Sequence, residues 1–135
     1  MKKFPEKLAY KYLAESLAFL RSKKIISKEQ EISVKIASIS EKEIKELNKK
    51  YRQKNQPTDI LSFSYNFDKE KMEGDLVLCW EIIQRNSKED GVTPEYELAK
   101  NLIHGCLHLT DREHSEEMFD LQEEFLKKIF ESQKF

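Results

Sequence analysis

Residues 93–109 read Thr93-Pro94-Glu95-Tyr96-Glu97-Leu98-Ala99-Lys100-Asn101-Leu102-Ile103-His104-Gly105-Cys106-Leu107-His108-Leu109, and their pattern sets the fold class. Thr93 before Pro94 is a helix start: a hydroxyl that caps free N–H groups, then a residue whose missing N–H costs nothing at the first helical position. Leu98, Leu102, Cys106 and Leu109 then cluster on one side of a helical wheel and mark a core-facing side. The spacing predicts a helix to about residue 110, with His104 and His108 turned away from the core in line with Glu97 and Asn101.

The flanking segments alternate between two periodicities. Residues 5–22 place Leu8, Tyr12, Leu13, Leu17 and Leu20 near one helical face. From Glu31 to Ile39, Ile32, Val34 and Ile36 alternate with polar residues, as in a strand. Ser40 and Glu43 form a capping-box signature for a helix carrying Ile44 and Leu47. Strands are predicted at Asp59–Tyr65 and Asp75–Trp80, joined by a charged turn, then a short helix at Glu81–Ser87. Ser115 would cap a last helix bearing Met118, Leu121, Phe125 and Ile129. Helices interleaved with a few strands give an α/β (α+β) class with about five helices on a small sheet.

At 135 residues the chain is long enough for one domain with a core and too short for two ordinary ones, so 1–135 is read as a single domain. Lys+Arg (24) and Asp+Glu (25) nearly cancel, so any site for a polyanion must be a local patch. No uncharged stretch is long enough for a signal peptide or membrane span, which makes a soluble cytoplasmic protein the default expectation. Cys79 and Cys106 each sit in an apolar run and read as small hydrophobes in a reducing compartment.

All three histidines fall between positions 104 and 114. An isolated histidine is first read as a packing or surface residue, but three clustered ones reverse that order. His104 and His108, one turn apart, can reach a single ion, and a turn after the helix can return His114 to it. Three imidazoles leave one tetrahedral position open for water, the pattern of a catalytic zinc, though other divalent transition metals fit as well. Glu97 and Asn101 are candidates to orient the ligands. Gly105, a mid-helix glycine costing about 1 kcal/mol against alanine, suggests close approach of a substrate or another backbone.

His-x3-His-x5-His is also metzincin protease spacing. Those proteases carry Glu as general base directly after the first His, and Gly three residues after the second. Gly105 and Asp111 occupy these positions here, so a zinc peptidase is the second reading. A basic segment, Lys49-Lys50-Tyr51-Arg52-Gln53-Lys54, adds a different chemistry. Its cations either complement a helix C-terminus or, through the forked guanidinium of Arg52, hold a phosphoryl group.

Three blocks together resemble the bacterial YbeY endoribonucleases, the ribosomal RNA maturation factors. His104-Gly105-Cys106-Leu107-His108-Leu109 with His114 is similar to the family's HGxLHLxGYDH signature. Leu47-Asn48 through Arg52, with Pro57-Thr58-Asp59-Ile60-Leu61-Ser62-Phe63, is similar to its LN-x3-R…PTDVLSF segment. Gly74-Asp75-Leu76-Val77 is similar to its GDIVI strand. Asp111-Arg112-Glu113 departs from the family's Gly-Tyr-Asp, and a short strand before the first helix is missing.

The resemblance implies a small mixed sheet and a metal-dependent, single-strand-specific endoribonuclease acting in ribosomal RNA maturation and small-subunit quality control. It implies one zinc ion on His104, His108 and His114, with Arg52 as the functionally important arginine countering transition-state charge. Lys49, Lys50 and Lys54 would form the local basic patch, and Asp111 and Glu113 are candidates for proton transfer. Tyr51 and Tyr65 read first as packing residues and second as base-stacking groups. A metal-stabilised ribosome-binding module without activity is the non-enzymatic alternative.

Overall fold

The computed structural model describes residues 3–110 and 116–131. In chain order they form α1 (Glu6–Ser22), β1 (Glu31–Ser38), α2 (Glu41–Arg52), β2 (Ile60–Phe67), β3 (Lys71–Leu78), α3 (Trp80–Asp90), α4 (Pro94–Leu109) and α5 (Glu116–Glu131). The sheet order is β1-β3-β2; β1 runs parallel to β3 and β2 antiparallel to it, so the sheet is mixed. This is one small domain of five helices and three strands among the described residues, as the residue patterns predict. Among the described residues no helix is long and apolar enough to cross a membrane.

Alternation along β3 builds the two sides of the sheet. Met72, Gly74, Leu76 and Leu78 are buried, and this side meets α1 and α4 in the main core with Leu13, Leu20, Leu102, Ile103 and Leu107. On the opposite side Leu61, Phe63, Val77 and Cys79 pack against Ile44 and Leu47 of α2 and Ile82 of α3. Helix α4 touches α1, α3, α5, β2 and β3. That enclosure corrects the two-sided helical wheel: Glu97, Ala99, Asn101, Ile103 and Leu107 are buried as well, and only a strip around His104 and His108 stays partly open.

The predicted caps at Ser40 and Thr93 are made. Ser40 Oγ accepts the Glu43 N–H while Glu43 Oε1 accepts the Ser40 N–H, and Thr93 Oγ1 accepts the Tyr96 N–H. Strand β3 begins four residues before the predicted Asp75, because Lys71 and Glu73 project outward while Met72 fills the core. The alternating charges had read as a turn. Cys79 and Trp80 leave the sheet to start α3, which ends at Gly91 with φ 70, the left-handed conformation glycine tolerates. The predicted cap Ser115 lies outside the described residues.

Candidate functional site

The site starts at the C-terminus of α2. Gln53 takes the left-handed conformation (φ 55) that stops the helix, and its N–H bonds back to the Asn48 carbonyl. Buried Asn48 donates Nδ2–H to the Gln56 carbonyl at 2.9 Å, tying down the loop that follows. Arg52, in the last turn, is thereby held against β2. Its NH2 donates to the Ser62 carbonyl at 2.7 Å, and its guanidinium lies 5.2 Å from the Phe63 ring centroid. The Arg52 head is positioned by the protein itself.

Across β2 stands α4, and its Gly105 explains the close approach. A Cβ there would come within 2.8 Å of Ile60 Cδ1 and Leu76 Cδ2 and 3.1 Å of Ser62 Oγ. The close neighbours of Gly105 are therefore sheet side chains, where the sequence suggested a substrate or a backbone. With α4 seated this deeply, His104 and His108 face the same cleft as Arg52. The cleft measures about 760 Å³, and its lining includes Arg52, Lys54, Lys100, Asn101, His104 and His108.

The two imidazoles are poised as a pair. His104 Nε2 and His108 Nε2 stand 3.0 Å apart, and His104 Nδ1 lies 2.9 Å from Gln122 Oε1. With Gln122 Oε1 as acceptor, Nδ1 of His104 would carry the proton and leave its Nε2 with a lone pair towards His108. This is the tautomer a metal requires. The donor set fits a transition metal. Among the described residues no group of three His, Cys, Asp or Glu side chains converges to hold a metal. The third predicted ligand, His114, and the predicted proton-transfer groups Asp111 and Glu113 lie outside the described residues.

The other predicted residues sit as follows. Asn101 lines the cleft and donates to the Glu97 carbonyl at 2.9 Å. Glu97 is 2% exposed and lies off the lining; its Oε2 is 3.7 Å from Lys100 Nζ, and Oε1 has no hydrogen-bond partner among the described residues. Burial, then a hydrogen bond with Asp90, pushes its carboxyl up to about 6. Lys54 lines the cleft, whereas Lys50 stands outside it with Nζ 5.2 Å from the Tyr51 ring centroid. Tyr51 and Tyr65 are exposed, and Tyr51 also packs edge-on against Phe63. Cys106 is fully buried away from the cleft, and burial pushes its thiol up to about 12.

Ser64, Lys100, Phe119 and Gln122 are lining residues that the sequence reading did not single out. Gln122 left a trace: it follows Met118 by four and precedes Phe125 by three, a polar residue inside the buried stripe of α5.

A family model described as Endoribonuclease YbeY matches residues 2–130. The Endoribonuclease YbeY of Thermotoga petrophila is 37% identical over 113 residues, covering 78% of this chain and 74% of the relative. That of Bdellovibrio bacteriovorus is 37% identical over 136 residues, covering 93% and 89%. A solution structure of a Thermotoga maritima protein superposes with a TM-score of 0.65 at 29% identity, covering 97% of this chain and 87% of that one.

Proposed function

Because the chain belongs to the endoribonuclease YbeY family, we propose that it is a metal-dependent endoribonuclease that cleaves single-stranded RNA. In this reading it acts in the cytoplasm on ribosomal RNA, in maturation and ribosome quality control, alongside small-subunit components. The observation that carries it is the convergence of His104, His108 and Arg52, from distant segments, on one cleft. His104 and His108, joined by His114, would hold one zinc or similar divalent ion. When bound, such an ion supplies Lewis acidity toward a phosphoryl oxygen and acidifies water.

The chain's own groups do the rest. Gln122 accepts the His104 Nδ1 proton and presents the other nitrogen to the site. Arg52, already anchored by Ser62 and Phe63, turns its remaining donors to the phosphoryl group and counters the charge that builds there. Lys54 and Lys100, on the cleft wall, hold flanking phosphates. Against the peptidase reading, Gly105 replaces the general base and faces the sheet. The Ser62 carbonyl on edge strand β2, where an extended peptide would pair, already accepts from Arg52.

The test offers the purified chain single-stranded RNA, the same RNA as a duplex, and casein. Cleavage of the single strand alone is expected, abolished in His108→Ala and reduced on the order of 10²-fold in Arg52→Ala. Cleavage that survives His108→Ala would mark a contaminating nuclease and contradict the reading. RNA binding without cleavage would leave the binding module, and casein hydrolysis the peptidase.

A further inference from the structure

Around the open edge of the sheet from the cleft, the same arginine joins a strip of aromatic rings. Arg52 covers Phe63, and Tyr51 meets that ring edge-on, with centroids 5.4 Å apart. Tyr65 completes the strip. Its hydroxyl donates to Asp75 Oδ2 at 2.8 Å, and Asp75 is the register partner of Phe63, which puts Tyr65 on the Phe63 side of the sheet. The β2–β3 register shifts between Ser64 and Asn66, leaving Tyr65 as the residue without a register partner. Such an irregularity re-aims a side chain. Tyr51 is 48% exposed and Tyr65 68%, so neither ring is spent on the core. Lys50 lies beside Tyr51, and β2 is an edge strand among the described residues, so none of the described strands separates the strip from the cleft.

We propose that Tyr51 and Tyr65 form a nucleobase-stacking subsite for a single RNA strand leaving the cleft, with Lys50 and Arg52 tracking its backbone. The proposal rests on the ribonuclease reading and adds to it where the strand runs. Every base offers a π-face, so the strip is indifferent to sequence, while paired bases stacked within a duplex cannot reach it. Single-strand preference would then arise outside the hydrolytic centre.

The experiment measures binding, with a chelator present to stop cleavage. The probes are a fluorescent single-stranded oligoribonucleotide and an abasic strand of equal length. Tyr51→Ala and Tyr65→Ala should each weaken binding of the oligoribonucleotide on the order of 5- to 100-fold. Tyr51→Phe and Tyr65→Phe should bind it like the native chain, and all variants should bind the abasic strand equally. Both tyrosines are exposed, and matching thermal melts would establish that the variants fold. Equal affinity of the alanine variants and the native chain for the oligoribonucleotide would overturn the subsite. So would an equal loss on the abasic strand, which would point to backbone contacts. A native chain that neither binds nor cleaves single-stranded RNA would instead overturn the ribonuclease reading beneath it.

Discussion

His104 has two ring nitrogens with different neighbours, Gln122 Oε1 on one side and His108 Nε2 on the other, and this asymmetry decides what the ring can do. An acceptor at Nδ1 fixes the tautomer and raises the basicity of Nε2. If His104 and His108 hold a metal as proposed, losing that acceptor should weaken its binding without removing either imidazole. Gln122→Met should lower zinc affinity by about 10- to 100-fold, whereas Gln122→Glu, which keeps an acceptor, should retain it. Competition against a chromophoric chelator measures this; unchanged affinity in Gln122→Met would remove Gln122 from the site. Sequence spacing found the two histidines because i and i+4 share a face on any helix. It could not find Gln122 as their partner, since that contact depends on how α5 docks on α4.

Between elements, two glycines mark where helix and sheet come closest, and they are not equivalent. A Cβ at Gly74 would meet the Phe63 carbonyl oxygen and Leu109 Cδ2, both at 2.7 Å; the carbonyl belongs to the β2–β3 ladder and cannot move aside. At Gly105 the near atoms are the tips of Ile60 and Leu76 and the Ser62 hydroxyl, which can shift, and alanine recovers about 1 kcal/mol of helix propensity there. Gly74→Ala should therefore cost about 1–3 kcal/mol, and Gly105→Ala clearly less, in urea denaturation. The reverse order would mean that α4 is not seated on β2 and β3 as described. The caps at Ser40 and Thr93 were legible because they need only residues three positions apart. The start of β3 was not, since Lys71 and Glu73 look like turn residues until Met72 is seen between them, buried. The sheet edges also show a device that local pattern hides: Arg52 donates to the Ser62 carbonyl on β2, and Tyr10 Oη bonds the Ile36 N–H on β1. Both blunt strands that would otherwise be open to pairing.

For the molecule as a whole, charge is balanced overall and unbalanced locally. The net charge of −1 hides a cleft carrying Arg52, Lys54 and Lys100 against the single carboxylate of Asp59, and next to this cleft Glu97 is buried near Asp90. Burial raises the Glu97 carboxyl to about 6 from its ordinary 4.5, so the folded state holds a proton that the unfolded state gives up. Stability from this group is present below about pH 4.5 and lost as pH rises through 6. Glu97→Gln should thus gain stability over the native chain at pH 7, by up to about 2 kcal/mol, and lose that advantage by pH 4.5. Paired urea titrations at the two pH values measure the difference; an advantage independent of pH would mean that Glu97 ionisation carries no cost. Fold class and family were legible in motifs that span the chain from Leu47 to His114. The joining of Arg52 to the histidines was implied only by the family resemblance and not by residue pattern, because the docking of α2 and α4 on β2 is what brings them to one cleft. That joining is tested most directly by following single-stranded RNA cleavage through chelation and zinc restoration, in the native chain and in His104→Ala. Activity should vanish on chelation, return with about one equivalent of zinc per chain as expected for a single three-histidine site, and never return in His104→Ala. Cleavage that persists in chelator, or zinc-restored cleavage by His104→Ala, would contradict the account.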